Sequence, residues 1–473
     1  MYYRVKDNFL LRGWKLLPFA LYDMKTHSTC FLDKETFSII QLCDGEHFVN
    51  INELSLDHQG RLNELIKKNI VQECKHSLKL NDNQKYKKFP SRYMSFAQWS
   101  ITGKCNYKCR HCFMSAPEAK FGELPLSEIK KIINELAECG VYNISLTGGE
   151  PLVRDDFFQI LDALIDANIN VTAIYSNGKL VNNELLDAFE SRNMKPVIHM
   201  SYDGKGWHDW IRGIPGAEKY AIDAYKLCNK RGFITTAEMC VHKGNKDVFL
   251  DTMNELAELN CRSLKVNPAA MLGNWAKSSA EYTLSTKEIY DAYLEYIKQF
   301  FESGMKISLM LDGFFYCEKG SKNYSIPYIK YDSKVNYSKI TLCGHARNSL
   351  YIDPEGIALP CMVFANTELK KKFPNILDKK LCEILTDSYY MKIIDTRLQE
   401  YFDCNPECDI CDYKNLCAGG CRGLAVIDNN SDYFTKDLAA CFFFKNNYHK
   451  KIKMLVDSLL TNLDSLNSKK VRC

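Results

Sequence analysis

Three cysteines fall within eight residues, at Cys105, Cys109 and Cys112, in the run Cys-Asn-Tyr-Lys-Cys-Arg-His-Cys. The spacing is C-x3-C-x2-C, and no fourth cysteine is near. Three thiolates so placed can grip three irons of a cubane [4Fe–4S] cluster, whose normal ligand is cysteine. The fourth iron is then open to a reactant, by the logic that leaves a catalytic zinc one free position. A zinc ion completed by His111 is the alternative, but His111 is squeezed between two of the candidate ligands.

A second concentration of thiols lies further along. Nine of the 21 cysteines fall between Cys343 and Cys441. Cys343, Gly356 and Cys361 give C-x12-G-x4-C, Cys408, Cys411, Cys417 and Cys421 give C-x2-C-x5-C-x3-C, and Cys441 completes seven. Crowded thiolates repel one another unless a cation neutralises them, so metal binding is expected to supply folding energy here. A structural zinc ribbon could use the same pairs. Cys30, Cys43, Cys74, Cys139, Cys228, Cys240, Cys261, Cys317 and Cys473 are scattered. They read as small buried hydrophobes.

The elements that must position these residues follow from the rest of the chain. Its 46% hydrophobic and 25% charged content is that of a globular protein. A net charge of +4 is too mild to indicate a nucleic-acid binder. No apolar run approaches membrane-spanning length, and the first twenty residues lack a signal-peptide pattern, so a cytoplasmic location is expected. In that compartment thiols stay reduced, which favours metal or redox work over disulfides.

Residues 1–75 predict a small unit with strands at Leu17–Tyr22 and Thr29–Leu32 and helices at Lys34–Leu42 and Leu54–Ile70. Residues 76–92, rich in Lys and Arg, read as a solvated linker. From Tyr93 strands and helices alternate through Ser127–Cys139, Asn143–Leu146, Phe157–Ala167, Val171–Tyr175, Leu185–Ser191 and Val197–Ser201. They continue through Ala217–Arg231, Thr235–Val241, Lys246–Leu259 and Ser263–Val266. This alternation predicts βαβ units and an α/β fold with a parallel sheet over residues 93–320, closed as a barrel or partial barrel, with chemistry at the strand C-termini. Turns and cysteines dominate residues 321–445, and 446–473 predict a terminal helix.

With C-x3-C-x2-C in the loop after the first barrel strand, the sequence resembles the radical S-adenosylmethionine superfamily. The resemblance implies a partial (β/α)6 barrel and a [4Fe–4S] cluster whose open iron binds S-adenosylmethionine and, once reduced, cleaves it to a 5′-deoxyadenosyl radical. Further residues match in order. Gly148-Gly149-Glu150-Pro151 lies 36 residues beyond Cys112 at a strand end. The family's counterpart contacts the methionyl amino group. Ser176-Asn177 ends the next strand, Ser201 and Asp203 the following one, and Arg212 lies just beyond. By resemblance, Ser201 and Arg212 contact ribose or carboxylate. His111 stands where the family usually has an aromatic residue near the adenine.

Residues 343–441 resemble the SPASM domain, an auxiliary-cluster extension of radical enzymes that modify peptides. This implies one cluster on Cys408, Cys411, Cys417 and Cys441. A second would use Cys343, Cys361 and Cys421, with Cys317, Cys382, Cys404 or no residue in its fourth position. Residues 1–75 resemble the winged-helix peptide-recognition element of ribosomal peptide-modification systems, through Leu32-Asp33-Lys34-Glu35 and Leu42-Cys43-Asp44-Gly45. The resemblances together imply a precursor peptide with a leader as substrate, a thioether or carbon–carbon cross-link as product, and a flavodoxin- or ferredoxin-like electron donor. Formylglycine formation is a second reading, weakened because Met362, not an acidic residue, follows Cys361. A non-catalytic metal-binding or regulatory protein is a third.

Overall fold

The computed structural model describes residues 1–115, 121–429 and 432–470. Seven strands lie side by side in chain order and parallel: β1 Phe96–Ser100, β2 Asn143–Thr147, β3 Asn170–Ser176, β4 Val197–Ser201, β5 Thr235–Val241, β6 Ser263–Pro268 and β7 Ser308–Leu311. Helices cross between them, as parallel strands require. The helix Leu126–Glu138 shows why: Ile129, Ile132, Ile133 and Leu136 form one buried stripe at helical spacing. It covers strands such as β2, whose five residues are all buried.

The partial barrel thus has its six strand–helix units, and the sheet runs further. Strand β8, Ser349–Ile352, comes from the cysteine-rich region and pairs parallel with β1. Phe315–Cys317 and Tyr324–Ser325 extend the other edge antiparallel. Among the described residues the sheet has eleven strands and crosses the expected boundary at residue 320. The terminal helix spans Tyr448–Lys470, and Cys473 lies outside the described residues.

The N-terminal unit has four strands the sequence pattern did not signal, Tyr2–Val5, Phe9–Gly13, Asp44–Phe48 and Val71–Cys74. The first two are each central to a small sheet, one ordered Asp44–Phe48, Tyr2–Val5, Val71–Cys74, the other Ser28–Phe31, Ala20–Asp23, Phe9–Gly13, Lys87–Lys88. Residues 76–92 are no solvated tether. Lys87–Lys88 pairs with Phe9–Gly13, and the Gln84 side chain is fully buried, donating to the carbonyl of Lys6 at 2.9 Å. Charge alone misled here, because lysine heads reach water while the backbone pairs.

Trp14 joins this unit to the barrel. Its indole N–H donates to the Cys139 carbonyl at 3.0 Å, and its ring is fully buried. Gly140 beside it has φ +77°, and a Cβ there would stand 2.8 Å from both Trp14 and Phe89. Trp14→Ala is expected to cost about 3–5 kcal/mol, the range for removing a large core side chain. Denaturant unfolding measures that loss, and faster proteolysis between residues 75 and 92 reports the undocking.

Candidate active site and thiol cavities

The loop after β1 carries Cys105, Cys109 and Cys112 at the C-terminal ends of the strands, where open faces of α/β folds place chemistry. Its backbone is pinned from three sides. The Arg110 N–H donates to the Ile211 carbonyl at 2.8 Å, and the Arg110 guanidinium covers the Trp210 ring at 4.6 Å. Gly273 packs on the carbonyl of Cys112, where a Cβ would stand 2.6 Å away. Asn366, from the cysteine-rich region, donates to the Phe113 carbonyl at 2.7 Å.

The three thiols face one another closely enough for their charges to couple. Burial pushes Cys105 up to about 12 and Cys109 up to about 11, the latter partly offset by Arg212. Such thiols stay protonated until a cation claims them. His111 is pushed down to about 3 by burial and by Arg212, so its imidazole is neutral. Its Nδ1 is buried without a hydrogen-bond partner. Three coupled thiols beside an unpartnered polar atom fit a bound cluster with its small-molecule ligand.

The glycines of the Gly148–Pro151 turn serve a purpose the sequence did not show. A Cβ on Gly148 would stand 2.4 Å from the Thr102 carbonyl oxygen, and one on Gly149 would stand 2.1 Å from that of Lys104. The turn therefore lies directly against the cluster loop, and its N–H groups bond there: Gly149 to Thr102 at 2.8 Å, Glu150 to Lys104 at 2.9 Å.

Glu150 is fully buried. Its carboxylate accepts from the N–H of Asn177 at 2.7 Å, the hydroxyl of Ser176 at 3.1 Å and the N–H of Leu152 at 3.2 Å. These take most of its roughly four lone-pair positions, so Glu150 braces two loops together. Asn177 also donates to Asn106 at 2.7 Å, within the cluster loop. Burial outweighs the three donors and pushes Glu150 up to about 7. A carboxyl raised in the fold stabilises it in acid, and that contribution disappears as pH rises through about 7. The shift corresponds to about 3 kcal/mol. Thermal stability of the metal-free protein should fall from about pH 5 to pH 8, and Glu150→Gln should flatten that profile.

Asp203 and Arg212 form a buried ion pair, Nε to Oδ2 2.7 Å. His208 Nδ1 lies 2.9 Å from the same carboxylate, and the Cys240 N–H donates to its other oxygen at 2.8 Å. Burial would raise this carboxyl, but Arg212 and His208 outweigh it and hold it far below the usual range. Arg212 is thus anchored on one side and faces Cys109 on the other. Ser201 stands at the end of β4, in register with Glu238 of β5. Sequence reasoning missed His208 and took Cys240 for a core residue. Its only signal was the alternation along β5, which puts Cys240 on the face of Glu238.

That face, turned away from the helices, lines a cavity of about 720 Å³. Tyr175 and His199 stack at 4.3 Å in its wall, and Glu238, Lys265 and Met310 follow in register across β5, β6 and β7.

The cysteine-rich region gathers its thiols into two groups. Cys408, Cys411, Cys417 and Cys441 line one cavity with Tyr401 and Phe444. Cys343, Cys361 and Cys421 form the other, their charges coupled, with burial pushing Cys361 up to about 12. The buried hydroxyls of Tyr390 and Tyr433, both within electrostatic reach of Cys343 and Cys361, have no partner. Both groups suit a bound polynuclear centre. The three spare cysteines lie apart from the second group: Cys317 bonds to the carbonyls of Ser321 and Asn323, Cys382 neighbours Cys139, and Cys404 is exposed.

Comparison with known proteins assigns the class. Residues 99–258 match the radical SAM superfamily, and residues 343–412 match an iron–sulfur cluster-binding domain, SPASM. The chain is an enzyme whose radical SAM domain binds S-adenosylmethionine and a [4Fe–4S] cluster and whose C-terminal domain binds iron–sulfur.

Among particular proteins, it is similar to the antilisterial bacteriocin subtilosin biosynthesis protein AlbA of Bacillus subtilis, 24% identical over 76% of this chain and 73% of AlbA. It is also similar to the AdoMet-dependent heme synthase of Methanosarcina barkeri, 26% identical over 69% of this chain and 90% of that protein. Its fold is that of Streptococcus suis SuiB bound to the precursor peptide SuiA, with a TM-score of 0.66 and 16% identity, covering 93% of this chain and 99% of SuiB. No helix among the described residues is long and apolar enough to cross a membrane.

Proposed function

We propose that this enzyme modifies a ribosomally made precursor peptide, joining residues through a thioether or carbon–carbon bond. The observation that carries this reading is the N-terminal unit. The likeness to peptide-bound SuiB extends over 93% of the chain, which takes in most of that unit. The heme synthase matches over 90% of its own length yet only 69% of this chain, leaving little of it to correspond to the unit.

The N-terminal sheets end in strands paired on one side only, Asp44–Phe48 and Val71–Cys74 in one, Ser28–Phe31 and Lys87–Lys88 in the other. An extended leader can add to such an edge through main-chain hydrogen bonds. The core of the peptide then has the cavity of Glu238, Lys265 and the Tyr175–His199 stack.

Cys105, Cys109 and Cys112 are assigned to the cluster that binds S-adenosylmethionine. When bound, that cofactor supplies a hydrogen-abstracting radical. The chain's own residues position it. Arg212, held by Asp203, presents its remaining N–H groups toward the loop, and a planar guanidinium suits a carboxylate. Gly148 and Gly149 bring backbone to the cluster loop, and neutral His111 offers a flat ring. The two C-terminal thiol groups are assigned to auxiliary clusters that take up an electron after substrate oxidation. A flavodoxin- or ferredoxin-like protein is assigned as donor.

Deleting residues 1–92 tests the reading. Leader-peptide affinity is expected to fall more than about tenfold, about 1.4 kcal/mol. Cleavage of S-adenosylmethionine without peptide should persist. Unchanged affinity in a titration with labelled leader peptide removes the recognition role.

A further inference from the structure

Between the two C-terminal thiol groups lies a buried cation whose hydrogen-bond partners are all neutral. Arg422 directly follows Cys421 and is 1% exposed. Its Nη1 donates to the carbonyls of Tyr433 at 3.1 Å and Thr435 at 2.6 Å, and its Nη2 donates to that of Gly419. Its Nε is buried with no partner. Among the described residues no carboxylate forms an ion pair with it. Asp437 accepts instead from the N–H of Cys421 at 2.7 Å and that of Ala440 at 2.9 Å.

The guanidinium also reaches the other group. Its carbon lies 4.8 Å from the centroid of the Tyr401 ring, and the Tyr401 hydroxyl is 3.5 Å from Cys408 Sγ. One side chain therefore touches the chain turn of Cys421 and, through a single ring, the cavity of Cys408, Cys411, Cys417 and Cys441.

A buried charge is costly unless an opposite charge neutralises it. Three carbonyls satisfy its hydrogen bonds, and the one carboxylate named within its electrostatic reach, Asp437, is itself raised by burial and committed to the N–H groups of Cys421 and Ala440. A cubane held by thiolates is net anionic and gains one more negative charge on one-electron reduction. A nearby fixed cation favours the reduced form, and hydrogen bonds to the sulfurs act in the same direction.

We propose that Arg422, with Tyr401, is a positioning residue for the redox work of the auxiliary clusters: its charge raises the reduction potential on both sides, and the Tyr401 hydroxyl adds a hydrogen bond at Cys408. This rests on the assignment of both thiol groups to clusters. It gives the enzyme a built-in electron sink next to the radical chemistry.

The test uses full-length protein, anaerobically reconstituted, with Cys105, Cys109 and Cys112 all changed to Ala so that only auxiliary clusters report. Potentials are read by electron paramagnetic resonance during redox titration. Arg422→Gln is expected to lower the ratio of reduced to oxidised cluster at fixed potential about tenfold, a shift of about 59 mV for one electron. Arg422→Lys, which keeps the charge, should recover most of it. Tyr401→Phe should lower the ratio about threefold, the loss of one modest hydrogen bond, and only for the cluster of Cys408.

Iron-replete Arg422→Gln and Tyr401→Phe titrating like the parent overturn the proposal. If Arg422→Gln fails to load iron, Tyr401→Phe, which removes a single oxygen, decides, and an unchanged potential there overturns it. A parent protein with no auxiliary iron overturns instead the assignment of the thiols to clusters.

Discussion

Cys105→Ala should reduce 5′-deoxyadenosine formation to the uncatalysed background while the protein remains folded. The loop does not depend on this side chain for its shape. It is held by the Arg110–Ile211 hydrogen bond, by the Asn366–Phe113 bond and by Gly149 donating to Thr102. The Cys105 sulfur itself accepts only the Tyr107 N–H, at 3.4 Å, and a long contact from Asn177 at 4.0 Å. Loss of this thiolate leaves two ligands from the loop, too few to keep a cubane and its open iron in place. Iron analysis should show one cluster lost and the C-terminal iron retained. Continued turnover in this variant contradicts the assignment of the loop, whatever the peptide proves to be.

Asp203→Asn should destabilise the protein by about 3–5 kcal/mol, because removing one partner of a buried ion pair leaves the other charge uncompensated. Asp203 is fully buried, and Arg212 is 8% exposed. The asparagine keeps the shape, yet its amide nitrogen cannot accept from Arg212, His208 or the Cys240 N–H. Asp203 is held far below the usual carboxylate range, so in the parent the pair's contribution is present above that range and is lost only as pH falls through the depressed value. Denaturant midpoints of parent and variant should therefore differ by a constant amount from about pH 5 to about pH 9. A difference that vanishes at neutral pH shows that the pair is not ionised there. With Arg212 no longer anchored, S-adenosylmethionine cleavage should fall more than about tenfold, the scale of a misplaced positioning group.

Much of this was legible in the residues. C-x3-C-x2-C is a local spacing, and a loop brings such neighbours together in any fold. Strand limits over Val197–Ser201 and Thr235–Val241 agree with the structure to the residue, because hydrophobic periodicity is also local. The seven C-terminal cysteines stood out by spacing; in the fold Cys408, Cys411, Cys417 and Cys441 line one cavity, and Cys343 and Cys421 lie within electrostatic reach of Cys361.

Other features depended on contacts between distant residues. The Lys-rich segment 76–92 packs because its backbone finds Phe9–Gly13 and because Arg92 makes a two-pronged ion pair with Asp395, 303 positions away. The N-terminal strands escaped notice because four or five residues carry too short a pattern to read. Cys240 could be told from the other scattered cysteines only once β5 had placed it beside Asp203.

The sequence by itself determined which atoms can do the chemistry: three neighbouring thiols, a Gly148–Pro151 turn and a cysteine-rich tail. Only the tertiary structure decided what those atoms are committed to. It spends Glu150 on bracing loops, anchors Arg212 to Asp203 and leaves Arg422 hydrogen-bonded to carbonyls alone. Spacing along a chain sets local geometry, whereas a charge or hydrogen bond takes its partner from whatever folding packs against it.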